Sequence, residues 1–105
     1  MDSLTIAKEI KQRLVQKFGN EINQVVLFGS QSRGTADDDS DYDILVVLEH
    51  DYNWRMKRRI SHSCYDVDLQ YDVLTDVKVI SVNELHSAKG RQPFIVNAMN
   101  EGVTL

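Results

Sequence analysis

VVLFGSQSRGTADDDSDYDILVVL, residues 25–48, contains two short apolar runs separated by turn residues and acids. The runs 25–28 and 44–48 are long enough for strands and too short for helices, and turn or charged residues bound each of them. They predict two buried strands. The connection between these strands holds a Gly-Ser pair, an Arg-Gly pair, a run of acids and the alternation Asp-Tyr-Asp. We expect the chemistry of the protein there.

Asp41 and Asp43 are two residues apart at the start of the second predicted strand. Residues at this spacing in an extended chain project to the same face, so the two carboxylates would lie side by side. Neighbouring carboxylates repel each other unless a cation sits between them. Mg²⁺ is the usual cation, because it takes hard oxygen ligands from one or two carboxylates and fills its other positions with water and substrate phosphates.

Gly29 and Ser30 directly follow the first predicted strand. A glycine at this place lets the backbone approach a ligand closely, and the N–H groups of the following turn can hold a phosphate. A phosphate site beside metal-binding acids indicates phosphoryl or nucleotidyl transfer, in which catalysis is mostly positioning and neutralisation of charge. We expect residues 30–34 to form one helical turn and the acids 37–39 to lie in a solvated loop.

Together these residues resemble a known signature. The pattern is Gly-Ser-x-x-Arg-Gly, then Ser-Asp-x-Asp leading into an apolar strand, and it is formed by Gly29, Ser30, Arg33, Gly34, Ser40, Asp41 and Asp43. It is similar to the signature of the nucleotidyltransferase (DNA polymerase beta-like) superfamily, and more narrowly to that of the minimal nucleotidyltransferases of bacteria and archaea. The resemblance covers most of the chain, which ends, like that family, in a Pro-Phe helix and a Glu-Gly-Val strand.

The resemblance implies a Mg²⁺-dependent transfer of an NMP group to a hydroxyl of a small molecule or of a partner protein. AMP from ATP is the expected group. By the same resemblance Asp41 and Asp43 hold the metal, and Gly29 and Ser30 hold the β and γ phosphates. Arg33 either braces the loop or touches phosphate.

This sequence departs from the family at the position of a third acid. Catalytically competent members carry that acid near the start of the third strand. Laying residues 77–80 on the family's apolar-Asp-apolar-apolar pattern puts Lys78 at its position. Asp76 shares a strand face with Lys78, and Asp72 lies further back at the exit of the preceding helix. Either acid serves if the strand begins before residue 77, and Asp76 is the better candidate, so the predicted catalytic residues are Asp41, Asp43 and Asp76.

Lys78 leaves a second function open. If Lys78 replaces the third acid, the chain is a catalytically weakened member of the family. It would work as a binding module that docks, as an antitoxin, onto a small all-helical HEPN-type toxin. Minimal nucleotidyltransferases are often encoded beside such toxins. A chain this small also offers little surface to enclose an acceptor, so a partner, or a second copy in a homodimer, would complete the site.

Length and composition limit the number of domains and the kinds of partner that the protein can have. A chain of 105 residues, 42% of them hydrophobic, has room for one domain, residues 1–105, around one modest core. Its formal net charge of −4 gives no electrostatic footprint for duplex DNA or an anionic membrane, which argues against nucleic acid and membranes as partners. The sequence has no apolar stretch of signal or transmembrane length, and a cytoplasmic location is expected.

Hydrophobic periodicity predicts the other elements. It places helices over 4–18 and 53–71, the second capped by Asn53, and a strand over 77–82. A short helical turn capped by Asn83, a helix over 94–99 ended by Gly102 and an edge strand over 103–105 follow. The first two strands should be antiparallel, and the second and third parallel with a right-handed crossover. The predicted fold class is α/β (α+β), a small mixed β-sheet with helices packed against it, as in the nucleotidyltransferase fold.

The helix over 53–71 carries a basic run near its start, formed by Arg55, Lys57, Arg58 and Arg59. Such a run is usually solvated surface, and a phosphate or partner site is the alternative. Cys64 is the one cysteine, so it has no internal disulfide partner, and its place in the apolar stripe of this helix predicts a core residue.

Overall fold

The computed structural model describes residues 3–29 and 42–105, and within them the chain forms four strands and four α-helices. In chain order the elements are α1 (Ser3–Phe18), a 3₁₀ turn (Gly19–Glu21), β1 (Ile22–Phe28), β2 (Tyr42–Leu48), α2 (Trp54–Tyr71), β3 (Thr75–Ser81), α3 (Val82–Leu85), a second 3₁₀ turn (Ala88–Arg91), α4 (Pro93–Glu101) and β4 (Val103–Thr104). The helical turn predicted over 30–34 and the acidic loop predicted over 37–39 lie outside the described residues.

The sheet is mixed, as predicted, with the strand order β3-β2-β1-β4. β1 pairs antiparallel with β2 and with β4, and β4 confirms the predicted edge strand. β2 and β3 run parallel because α2 crosses over between them. Among the described residues, none of the helices has the length and apolar character needed to cross a bilayer.

The two faces of the sheet have separate cores. α1 and α2 cover one face, whose cluster includes Ile6, Ile10, Leu14, Val25, Leu27, Ile44, Val46, Leu48, Ile60, Cys64 and Val67. α4 covers part of the opposite face through the cluster Val26, Leu45, Val47, Ile80, Ile95 and Ala98. Alternate residues of each strand therefore serve different cores, as the period of two requires.

α2 has the apolar stripe and the cap that the sequence predicted. The Asn53 side-chain oxygen accepts a hydrogen bond from Met56 N at 3.0 Å. Cys64 is buried in the stripe, and burial, with a smaller effect of the Asp68 carboxylate, raises the pKa of its thiol to about 12. The thiol therefore stays protonated at neutral pH and packs as a small apolar side chain.

The predicted cap of the turn after β3 is wrong. Asn83 lies inside α3, and the N-cap is Ser81. The Ser81 hydroxyl accepts from Glu84 N at 3.1 Å, and the Glu84 carboxylate accepts from Ser81 N at 3.1 Å. This reciprocal capping box satisfies two N–H groups at once, whereas a lone Asn cap would satisfy one.

β3 begins at Thr75, two residues before its predicted start, and ends at Ser81. Two hydrogen bonds fix the start: Tyr42 N donates to the Leu74 carbonyl at 2.8 Å, and Thr75 N donates to Asp68 Oδ2 at 3.3 Å. The apolar run 77–82 indicated a strand, but it carries no information on these partners from β2 and α2. β1 likewise begins earlier than predicted, at Ile22.

We expect Leu14→Ala to lower the free energy of unfolding by about 2–5 kcal/mol, because this α1 residue is 0% exposed in the core. Val15, the next residue, is 42% exposed, and Val15→Ala should change the free energy of unfolding by less than about 0.5 kcal/mol. Urea unfolding followed by circular dichroism measures both values. Equal losses for the two variants would contradict the placement of Leu14 in the core.

Candidate functional site

Asp43 lies on the sheet face opposite α1 and α2. It is the second residue of β2, and the alternation along the strand puts its side chain on the face of Leu45 and Val47. Those two residues are buried in the cluster that includes α4, whereas Asp43 is only partly buried. The carboxylate of Asp43 therefore stands where this face of the sheet becomes accessible to solvent.

Asp43 pairs in register with Asp76 across the parallel strands. Registered residues on neighbouring parallel strands point to the same face, and the strands are about 4.8 Å apart, so the two carboxylates project side by side. Asp76 is the exposed member of the pair. Asp72 is instead the C-cap of α2, with a φ of 55°, and it precedes β3. The structure thus aligns Asp76, and not Asp72, with Asp43.

Lys78 lies one alternate position beyond Asp76 and pairs in register with Leu45. Its ammonium is 3.2 Å from Asp76 Oδ1, and both side chains are about half exposed. An ion pair of this exposure is worth less than about 1 kcal/mol, so a stronger ligand for Asp76 can displace Lys78. The position at which the family pattern expects the third acid carries a cation, and the acid stands at the preceding position of the same face.

Gly29, at the exit of β1, lies against Asp43. Its φ of 75° is in the left-handed region, which favours glycine. A Cβ at Gly29 would lie 3.2 Å from Asp43 Cγ and closer still to Oδ2. A side chain at this position would therefore occupy the space that the Asp43 carboxylate uses.

These residues fit Mg²⁺ together with a nucleotide phosphate. Asp43 and Asp76 offer carboxylate oxygens from adjacent strands, and Gly29, which has no side chain, brings its backbone close to the Asp43 carboxylate. Within residues 3–29 and 42–105, no three His, Cys, Asp or Glu side chains are grouped so that they could hold a metal ion. Asp41 lies outside the described residues, as do Ser30 and Arg33.

Asp68, on α2, is a positioning residue that sequence reasoning missed. Its Oδ2 accepts hydrogen bonds from Thr75 N at 3.3 Å and from Thr75 Oγ1 at 3.2 Å. Thr75 directly precedes Asp76, so these bonds fix the backbone that carries the exposed acid. The sequence signal is an acid in the last turns of a helix followed by a threonine at the next strand, which is too common to be recognised alone.

The fold and the site define a class of protein. A mixed sheet that carries adjacent carboxylates beside a strand-exit glycine has the parts needed for phosphoryl or nucleotidyl transfer. The sequence makes the assignment specific: residues 7–104 match the model of the nucleotidyltransferase domain, and the chain belongs to that family. The resemblance drawn from the Gly-Ser and Asp-x-Asp motifs is therefore confirmed.

Several known proteins are similar to this chain. A protein of Methanocaldococcus jannaschii named "Putative protein adenylyltransferase MJ0604" is 31% identical over 98 residues, which span 93% of this chain and 92% of that protein. A solved structure described as "putative minimal nucleotidyltransferase" has a TM-score of 0.66 and 24% identity, and the match covers 100% of this chain and 97% of the other. A crystal structure of a "toxin-antitoxin with AMP-PNP" has a TM-score of 0.62 at 21% identity, covering 92% of this chain and 70% of the other. The two structures share the fold of this chain.

Gly29→Ala should abolish nucleotide binding, because the added methyl displaces the Asp43 carboxylate. Gly19→Ala is the matched control: Gly19 also has a positive φ, of 57°, but a Cβ there meets nothing within 4 Å. Both variants carry left-handed strain of about 1–2 kcal/mol, and only Gly29→Ala also disturbs the acids. Titration calorimetry with ATP and Mg²⁺ measures the difference. Intact ATP binding by a folded Gly29→Ala protein would place the phosphate site elsewhere.

Proposed function

We propose that this nucleotidyltransferase moves AMP from ATP onto a hydroxyl of a small molecule or a partner protein, with Mg²⁺ as its metal. The observation that carries the proposal is the alignment of Asp43 with Asp76 beside Gly29. The relative named as a protein adenylyltransferase supports AMP as the transferred group. The fold neighbour crystallised with AMP-PNP supports an adenosine triphosphate as the donor.

Each site residue has a role in this proposal. Asp41 and Asp43 hold Mg²⁺, and Gly29 and Ser30 bind the β and γ phosphates. Arg33 either braces the loop or contacts phosphate. Mg²⁺ held by these carboxylates would supply positive charge that neutralises the phosphates of the donor.

Asp76 completes the acid set and accepts the proton of the attacking hydroxyl, whose oxygen bonds to the α phosphorus of ATP while the bond to the leaving pyrophosphate breaks. It is the exposed acid of the pair, so an acceptor arriving from solvent reaches it before Asp43. Its ion pair with Lys78 must open for this step. Because both partners are about half exposed, opening the pair costs less than about 1 kcal/mol, which favours an active enzyme.

The same ion pair is the observation that favours a second candidate function. If the Lys78 ammonium holds Asp76 more strongly than Mg²⁺ does, the chain binds nucleotide without transferring AMP. It would then act as an antitoxin that docks onto a small all-helical HEPN-type toxin. The toxin–antitoxin structure that shares this fold supports a toxin as the partner. The two candidates differ in whether the wild-type chain transfers AMP.

Binding of ATP should require Mg²⁺ and should be lost in the double variant Asp41→Asn, Asp43→Asn. The two amides keep the size of the side chains but remove the negative charge that the cation neutralises. Calorimetry with and without Mg²⁺ measures the effect. Equal affinity of wild type and variant in the presence of Mg²⁺ would remove the metal assignment.

The role of Asp76 can be separated from that of Lys78 by two variants. Asp76→Asn should lower the rate of AMP transfer by about 10²- to 10⁴-fold, the usual contribution of a general base. Lys78→Met should leave the rate unchanged or raise it a few-fold, because it frees Asp76 from an ion pair worth less than about 1 kcal/mol. Transfer of label from ATP radiolabelled at the α phosphate, with a cell extract as the source of acceptor, measures both rates.

A third variant, Lys78→Asp, distinguishes the two candidate functions. The weakened binding module would be supported if the wild type is inactive, the Lys78→Asp variant transfers AMP, and the Asp76→Asn variant behaves as the wild type does. That result would reject Asp76 as the third acid.

A further inference from the structure

The solvent side of α2 carries large apolar residues that no described element covers. Trp54, Tyr65 and Leu69 are 64%, 53% and 67% exposed, although the opposite side of the same helix is buried. At about 100° per residue, positions 54, 58, 61, 65 and 69 form one line along the outer side of the helix. We call this line the outer stripe. The solvent side of a surface helix is ordinarily polar, so three large apolar residues in one line indicate a docking surface.

Beside the outer stripe, the positive charges lie near the start of α2 and a negative charge lies near its end. Arg55 and Arg59 flank one edge of the stripe near the start of α2, and Asp66 flanks the same edge near its end. None of the three takes part in a salt bridge among the described residues. The guanidinium groups rest on aromatic rings instead, that of Arg55 5.4 Å from the Trp54 ring centre and that of Arg59 5.2 Å from the Phe18 ring centre.

We propose that the outer stripe binds a second copy of this chain, through two α2 helices packed antiparallel about a twofold axis between Ser61 and His62. This axis sets Trp54 of one copy opposite Leu69 of the other. It also sets Arg58 opposite Tyr65, so that a guanidinium faces an aromatic ring. A twofold interface of this kind uses the same surface on both copies, and the stripe is complementary to itself in that arrangement.

The flanking charges select a second copy over a different partner. In an antiparallel helix pair the same edges face each other, so Arg55 and Arg59 of one copy meet Asp66 of the other, and the axis repeats the contact. The positive first half of α2 in one copy thus faces the negative second half of α2 in the other copy. An acidic protein or a nucleic acid would satisfy the arginines but would set negative charge against Asp66.

This interface lies on the far side of the sheet from the candidate site. α2 packs on the face of Ile44 and Val46, whereas Asp43 and Asp76 project from the opposite face. A copy bound at α2 therefore leaves the acids open to nucleotide and acceptor and does not complete the site. The inference does not depend on the proposed function.

The length of the stripe sets the expected strength of the dimer. Residues 54 to 69 span about 22 Å of helix. One pair of helices of that length buries less than the roughly 1,200 Å² of a standard stable interface. We therefore expect a dissociation constant in the micromolar range.

Sedimentation velocity over a series of micromolar concentrations tests the proposal. The wild-type chain should pass from monomer to dimer across the series. Leu69→Glu should weaken the dimer by at least about tenfold, since it sets a charge against Trp54 of the other copy. The matched control is Val15→Glu, an exposed apolar residue of α1 outside the stripe, which should dimerise as the wild type does. Circular dichroism checks that both variants are folded.

A charge exchange tests the antiparallel arrangement. A chain with Arg55→Glu and Arg59→Glu, and a second chain with Asp66→Arg, should each dimerise weakly alone because like charges meet across the axis. Mixed together, with one chain tagged, they should form a heterodimer of about wild-type strength, since each supplies the charge that the other now needs. A wild type that stays monomeric throughout the series, or a mixture no tighter than the separate variants, would overturn the proposal. Binding of an acidic protein or a nucleic acid to a monomeric chain would overturn it as well.

Discussion

The hydrogen bonds at the start of the β2–β3 pair fix both the sheet and the candidate site. Tyr42 N donates to the Leu74 carbonyl, and Asp68 receives two hydrogen bonds from Thr75. A slip of one residue in this pairing would turn Asp76 toward α1 and α2, because side chains alternate between the faces of a sheet. The bonds that hold the crossover unit together are therefore the ones that set the two carboxylates side by side.

The unequal coverage of the sheet explains where chemistry is available. α1 and α2 bury their face of the sheet in an apolar cluster. α4 has nine residues and covers only part of the other face, so the end that carries Asp43 and Asp76 meets solvent. The exit of β1 brings Gly29 to the same end, where a side chain at this position would have to displace the Asp43 carboxylate.

The positive charge of Lys78 has two opposing effects on this site. Its ammonium reduces the repulsion between two adjacent carboxylates by pairing with Asp76. The same positive charge opposes a metal ion that binds those carboxylates, since like charges close together are unfavourable. Both partners of the pair are about half exposed, so solvent weakens the ion pair, whereas a divalent cation with carboxylate and phosphate ligands gains from several charges at once. In the proposed function, these two cations compete for Asp76.

The sequence by itself determined the features that depend on residues close together in the chain. The apolar runs of β1 and β2, the Asn53 cap and the end of α4 at Gly102 are all local patterns, and the structure agrees with each of them. The Gly-Ser and Asp-x-Asp motifs identified the family in the same way. The predicted residues Ser30, Arg33 and Asp41 lie outside the described residues, and their roles stay predictions.

Only the tertiary structure decided the features that depend on partners far apart in the chain. The start of β3 moved to Thr75 because partners on β2 and α2 hold it there, and this start set Asp76 in register with Asp43. The contact of Gly29 with Asp43 likewise joins the end of one strand to the start of another. A period of two assigns residues to faces, but it does not say which residues on neighbouring strands stand opposite each other. Strand register is set by hydrogen bonds between distant segments, and for that reason only the paired strands show that Asp76, rather than Lys78 or Asp72, stands opposite Asp43.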